Sequence, residues 1–291
     1  MSLIELLQSN PAFLYLATIL LGLIVGSFLN VVIYRLPVML EKEWKSQCEE
    51  LLNDKAPDEN ETAFNLVTPR SRCPQCNHLI TALENIPVIS YIIQKGKCTG
   101  CGTKISPRYP LIEILTAILS FVVVWKYGFS WQSVAGLVLT WSLITLTFID
   151  LDTFLLPDNI TLPFLWFGVF ISLWAIFTSL HDSVVGAIAG YLSLWLVYWA
   201  FKLLLKKEGM GYGDFKLLAM LGAWLGWQLL PLIVILSSLV GAVVGVSMIL
   251  FGDHDKNKPI PFGPYLATAG WIALIWGNDI TLTYLQFSGI K

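Results

Sequence analysis

Residues 131–158 read WQSVAGLVLTWSLITLTFIDLDTFLLPD. The first nineteen, 131–149, carry no charge. That is close to the ~20 residues a helix needs to cross a hydrocarbon core about 30 Å thick. Three aspartates then follow within nine residues: Asp150, Asp152 and Asp158. Ionisable groups at the end of such a run are costly, so they demand a chemical or structural reason.

Working outward, similar apolar runs occupy 12–34, 111–126, 159–179, 183–204, 215–228, 229–250 and 263–287. The expectation is an all-α polytopic membrane protein of about eight transmembrane helices. The runs beginning at 111 and 215 are short for a full crossing. Composition agrees: 56% of the 291 residues are hydrophobic and 13% are charged, against roughly 25% charged in soluble domains. Mean hydropathy is +0.69. A net charge of −2 gives no basic field for nucleic acid. MSLIELLQSN has no Lys or Arg, and the apolar run after it is too long for a signal h-region, so no cleaved leader is expected.

With eight spans, sixteen of the eighteen Lys and Arg fall on the side that holds residues 35–110 and the loops near 150–158, 205–214 and 251–262. Lys126 and Lys291 fall on the other. The positive-inside rule makes the first side cytosolic and puts both termini outside. The chain divides into a first transmembrane helix (1–36), a cytosolic loop domain (37–110) and a transmembrane domain (111–291). Within the loop, 40–65 is charged with some helical spacing, and an exposed amphipathic helix followed by a flexible stretch is expected. Its acids Glu49, Glu50, Asp54, Asp58, Glu59 and Glu61 read first as a solvated face and second as an attraction for a basic peptide.

Beyond them stand CPQC and CTGC, separated by 21 residues. Each CxxC turn aims two sulfurs at one point. Cys73, Cys76, Cys98 and Cys101 together offer the four thiolates of a structural Zn²⁺ site. A cytosolic setting disfavours disulfides. Four thiolates leave no open position for water, so a structural rather than catalytic metal is expected. His78 is a spare donor, and Cys48 reads as a free thiol.

The second carboxylate of interest lies in EGMGYGDFK, 208–216, where Gly209, Gly211 and Gly213 precede Asp214. Such glycines serve unusual backbone angles or a close approach of another chain. Asp150 closes one span and Asp214 opens another at the same face, so they can meet across a bundle, or Asp214 can simply cap its helix. If they meet, one shared proton suits aspartic peptide hydrolysis, with one carboxylate as base and one as acid. Asp158, after Pro157, reads as a helix cap. Asp152, about 200° round a helix from Asp150, reads as a solvated bystander. No His-Glu-x-x-His is present, and Asp152-Thr153 is followed by Phe154, so soluble aspartic and zinc peptidase signatures are excluded. Gly22 and Gly26 form a small-residue stripe suited to helix packing. Arg35 reads as a snorkelling anchor, Glu113 as half of an ion pair with Arg108 or Lys97, and Pro261, Gly263 and Pro264 as a kinked start to the last helix.

These residues carry a resemblance. GSFLNVVIYRLP (26–37), CPQC, NIPVISYIIQKGKC (85–98), CTGC, ISPRYPLIEIL (105–115), FIDLDTFLLPD (148–158), GMGYGDFKLLAMLGAWLG (209–226) and PFGPYLA (261–267) are similar to motifs of the bacterial type IV prepilin peptidases. The resemblance spans nearly the whole chain. It implies an aspartic membrane endopeptidase of the inner membrane that removes the basic leader of type IV prepilins or type II secretion pseudopilins at the cytosolic face. It implies Asp150 and Asp214 as the catalytic pair, with Gly211, Gly213 and Asp158 as supporting residues. It further implies methylation of the new N-terminus from S-adenosylmethionine, with Gly96, Lys97 and Glu113 tied to that step. No nucleotide-type glycine fingerprint supports the methyl donor independently. Two rivals remain: an ion-coupled transporter, disfavoured because both aspartates lie at one edge rather than at midplane, and a non-enzymatic secretion scaffold docking partners through the loop.

Overall fold

The computed structural model describes residues 3–53, 64–206, 210–251 and 260–289. Ten α-helices run through them: α1 Leu3–Ser9, α2 Pro11–Asn53, α3 Ile89–Ile93, α4 Arg108–Tyr127, α5 Trp131–Thr153, α6 Asp158–Ser172, α7 Leu180–Leu205, α8 Tyr212–Leu225, α9 Leu230–Phe251 and α10 Gly263–Ser288. A 3₁₀ turn, Trp227–Leu229, joins α8 to α9. The helices fall into two compact units, residues 1–129 and 130–291.

Five helical segments among the described residues are long and apolar enough to cross a membrane: Pro11–Leu52, Arg108–Tyr127, Trp131–Thr153, Leu180–Leu204 and Trp227–Met248. The three other expected spans form helices α6, α8 and α10. The first two are short, at 15 and 14 residues. Fourteen residues reach only about 21 Å at 1.5 Å each. The third carries Asn278, Asp279, Thr281 and Thr283, which dilute its apolar character.

In the first unit α2 packs along α4. A Cβ on Gly22 would lie 2.7 Å from Ala117 Cα, and one on Gly26 would lie 2.7 Å from Glu113 Cα. The small-residue stripe therefore brings two backbones together within the chain, as expected. Asn30 Nδ2 ties the same helices by donating to the Tyr109 carbonyl at 3.1 Å. Tyr15 and Phe121 meet edge to face, with centroids 5.3 Å apart.

Two expectations for this unit need correction. The amphipathic helix of the loop is not a separate element. The first span runs on without a break through Pro37 into the charged stretch, where residues 41–52 are exposed. Pro37 costs one backbone bond, but Leu36 and Leu40 on either side are buried and keep the helix packed. Asp54, Asp58, Glu59 and Glu61 lie outside the described residues. Arg35 does not snorkel: it is buried and donates to the carbonyls of Asn65 at 2.8 Å and Pro69 at 2.6 Å, with its guanidinium over Phe64. Its five donors suit a clamp on backbone carbonyls better than a lone anchor.

The second unit is built around α8. Phe215, Leu217, Leu218, Met220, Leu221 and Ala223 have no exposed surface. A helix apolar on all sides is stable only when surrounded. The neighbouring α7 comes close because Gly186 and Gly222 face each other backbone to backbone and Gly190 lies against Leu218. Ser183 Oγ donates to the Ala223 carbonyl at 2.6 Å. From α6, Gly168 makes room for Trp224, whose Nε1 donates to the Phe164 carbonyl at 2.8 Å. On another side α10 packs against both α5 and α8.

Candidate active site and metal centre

Asp150 lies in the last turn of α5, and Asp214 in the first turn of α8. They are 5% and 7% exposed, so both carboxylates sit inside the unit rather than in solvent. What brings them near is a small constellation around Leu156. Phe154 ends α5 in the left-handed region, at φ 56°, its N–H returning to the Asp150 carbonyl at 2.9 Å. That conformation costs a side-chain-bearing residue about 1–2 kcal/mol. It turns the chain so that Leu156 reaches Gly213 on one side and Gly263 on the other, at 2.8 and 3.2 Å from their would-be Cβ atoms.

The glycines of the Gly-x-Gly-Asp stretch have separate duties. Gly211 is the N-cap of α8 with φ −83°, an angle any residue adopts. Its carbonyl accepts the Asp214 N–H at 3.3 Å. Gly213 is needed for space, since any side chain there would strike Leu156. Asp214 itself is not the cap.

Asp158 is not a cap either. The N-cap of α6 is Pro157, whose ring has no polar atom to offer the free amides. Asp158 instead pairs with Lys216, whose Nζ lies 2.7 Å from both of its oxygens. Asp152 is exposed. Gly263 was missed as a site residue. Its N–H donates to Asp150 Oδ2 at 3.0 Å, so the PFGP stretch belongs to the site and is not merely a kinked helix start. No local pattern could have revealed a bond spanning 113 residues.

In the first unit the cysteines form two matching knuckles. Each is bracketed by an antiparallel bridge, Arg72 with Leu79 and Lys97 with Lys104. Each is followed by a left-handed residue, Asn77 at φ 57° and Gly102 at φ 72°. The sulfurs of Cys73, Cys76, Cys98 and Cys101 all lie within 4.8 Å of one another. Cys73 and Cys101 are 3.8 Å apart, Cys76 and Cys98 3.9 Å. Sulfurs placed about 2.3 Å from a central zinc form a tetrahedron with edges of about 3.8 Å. The set therefore fits a metal ion such as zinc. The Thr103 hydroxyl, 3.2 Å from Cys101 Sγ, and then the Thr103 amide favour the thiolate and bring Cys101 down to about 6.

His78 is not a ligand in this arrangement. Its Nε2 lies 3.1 Å from Glu84 and 3.2 Å from the Thr99 hydroxyl. Glu84 is held down to about 2, first by the Thr99 hydroxyl, then by the amide and hydroxyl of Thr81, then by His78. This network pins the turn of one knuckle to the other.

The residues tied to methyl transfer lie around the same loop. Gly96 has φ 65° and packs under Tyr91. Lys97 is exposed. Glu113 is buried, and what holds it is the Val88 amide, at 2.7 Å from Oε2, and the Ser27 hydroxyl, not Lys97. Val88 is β-branched yet has φ 59°, a conformation rare for such residues that persists only where surroundings impose it.

Fold and site together describe a helical membrane protein with a buried carboxylate pair at helix ends and a four-cysteine metal-type cluster. Residues 20–127 match the bacterial peptidase A24 N-terminal domain, and 137–246 match the type IV leader peptidase family. A protein named prepilin leader peptidase/N-methyltransferase from Pseudomonas aeruginosa is 55% identical over 291 residues, covering all of both chains. One of the same name from Aeromonas hydrophila is 57% identical over 97% of this chain and 98% of its own. Another from Neisseria gonorrhoeae is 51% identical over 89% of each. No solved structure matches. The chain belongs to the type IV leader peptidase family.

Proposed function

We propose that this protein is a membrane aspartic endopeptidase that removes the leader of type IV prepilins and then methylates the new N-terminus. The observation that carries the peptidase reading is the pair of buried carboxylates, Asp150 and Asp214, supplied by two helix ends around Leu156. One carboxylate takes a proton from water as that water attacks the scissile carbonyl carbon, and the other gives its proton to the carbonyl oxygen. As the C–N bond breaks, the nitrogen takes the proton held by the first and the second takes back a hydroxyl proton, leaving a new carboxylic acid, a new amine and the pair as it began. Gly211 and Gly213 support the pair through the contacts given above, and Asp158 through Lys216.

Cys73, Cys76, Cys98 and Cys101 hold a structural Zn²⁺ in this reading, completing a loop too small to bury a core of its own. S-adenosylmethionine supplies the methyl group, and Gly96, Lys97 and Glu113 are the residues assigned to that step by family resemblance. Pseudopilins are substrates of the same kind, with an apolar helix behind a basic leader. The Lys and Arg distribution supports eight spans in the inner membrane, a cytosolic loop and catalytic edge, and periplasmic termini. The same charge pattern supports reading 37–110 as a cytosolic loop region between a first transmembrane segment, 1–36, and the remaining spans, 111–291.

Mass spectrometry of a co-expressed prepilin reports cleavage position and methylation together. Asp150→Asn and Asp214→Asn should each leave the leader attached. Processing by either variant at the wild-type rate rejects the aspartic mechanism.

A further inference from the structure

We propose that Gly263 is a positioning residue for Asp150: it orients the carboxylate through its backbone amide, and its lack of a side chain leaves the space that the carboxylate occupies. The proposal rests on the reading of Asp150 as a catalytic group.

A helix leaves its first amides without internal partners. At the start of α10 the accounting is simple. Pro264 has no N–H. Those of Tyr265 and Leu266 turn back to the Phe262 carbonyl, at 3.1 and 3.2 Å. Gly263 has the donor left to point away from the helix, and it meets Asp150 Oδ2 at 3.0 Å, where both partners are buried. A helix start is also an end to which carboxylate oxygens are drawn.

The second observation is steric and independent of the bond. A Cβ on Gly263 would lie 2.6 Å from Asp150 Oδ2, and 3.2 Å from both Asp150 Cγ and Leu156 Cδ1. Glycine is not required there for a left-handed backbone, because Gly263 is not among the residues with positive φ. It is required for room. Of the atoms in the way, the carboxylate yields most easily, because it is the far end of a side chain. A side chain at 263 would therefore turn Asp150 before it moved α10.

The two aspartates are thus held differently. Asp214 is tied within its own turn, its N–H donating to the Gly211 carbonyl at 3.3 Å. Asp150 is fixed from another helix altogether, so the docking of α10 sets how the pair faces a substrate. A misplacement of about 1 Å in such a group costs on the order of 10²-fold in rate.

The test is steady-state cleavage of a purified prepilin by the full chain in detergent, with melting temperatures recorded alongside. Gly263→Ala should lower kcat about 10²-fold with KM held within about twofold. Gly270→Ala, on the same helix, places a Cβ 2.5 Å from Leu221. It should lower the melting temperature and leave kcat unchanged. Gly263→Ala with wild-type kcat, or with its whole effect in KM, overturns the proposal. If Gly263→Ala does not fold, the amide resonance of Gly263 in ¹⁵N-glycine-labelled protein decides: it must move on Asp150→Ala, and a resonance that stays in place overturns the proposal. Asp150→Asn and Asp214→Asn run in parallel. Cleavage by either at the wild-type rate rejects the peptidase reading. Inactive aspartate variants beside a wild-type kcat for Gly263→Ala reject only the role of Gly263.

Discussion

Lys216 Nζ lies 2.7 Å from both carboxylate oxygens of Asp158, one residue-pair further along α8 than Asp214. The bond joins the first residue of α6 to the fifth of α8, two residues on from Asp214. With Asp158 about half exposed at 51%, the pair adds little stability: at most about 1 kcal/mol. Lys216→Ala and Asp158→Asn should leave the melting temperature nearly unchanged and lower kcat/KM by less than about tenfold. The charge-reversed double variant, Asp158→Lys with Lys216→Asp, should recover part of that loss in the cleavage assay.

Asp150 and Asp214 act as one unit in the proposed chemistry. Each single Asn variant should lose about 10²–10⁴-fold in kcat, and the double variant should be no slower than the worse single one. Multiplicative losses measured in single-turnover cleavage would show the carboxylates working independently.

The four-cysteine cluster should carry one zinc per chain, measurable by elemental analysis. Cys101→Ser should abolish it. Glu84→Gln breaks the network that links Thr81, Thr99 and His78 between the knuckles. Such outer partners usually affect metal affinity by about 10–100-fold. A chelator competition should show the metal leaving Glu84→Gln at lower chelator concentration than wild type.

Arg35 holds the loop to α2 through two backbone carbonyls. Buried hydrogen bonds from a charged donor contribute about 1.5–3 kcal/mol. Arg35→Ala should make the segment near residues 64–70 more open to limited proteolysis, and Arg35→Lys, with one compact charge and no fork, should restore only part of the protection.

Gly26 sits against the backbone at Glu113. Gly26→Val should destabilise the first unit by about 1–3 kcal/mol through overpacking. It should also displace Glu113, so the methylated fraction of a cleaved pilin should fall more than cleavage itself. Equal losses in both would count against a role for Glu113 in methyl transfer.

Much of the architecture was legible in the chain. Apolar runs of helical length announce a membrane protein because an unpaired backbone is intolerable in lipid. The CxxC spacing announces a metal-type cluster because two residues between cysteines turn both sulfurs to one side. Gly22 and Gly26 face one partner because residues four apart share a helix face. Each of these arguments works within a few turns of chain. The continuity of α2 through Pro37 escaped them, because local propensity favours a break there and the burial of Leu36 and Leu40 outweighs it.

The sequence by itself determined the helices, their membrane setting, the four sulfurs and the two aspartates. The tertiary structure alone decided what surrounds those aspartates. The partners of Asp150, Asp158 and Arg35 lie 113, 58 and 30 to 34 residues away. Helical periodicity fixes which face a side chain occupies, but it carries no information on which distant helix start or carbonyl will arrive there. Only the packing of α10 against α5, and of α6 against α8, brings Gly263 to one carboxylate and Lys216 to another.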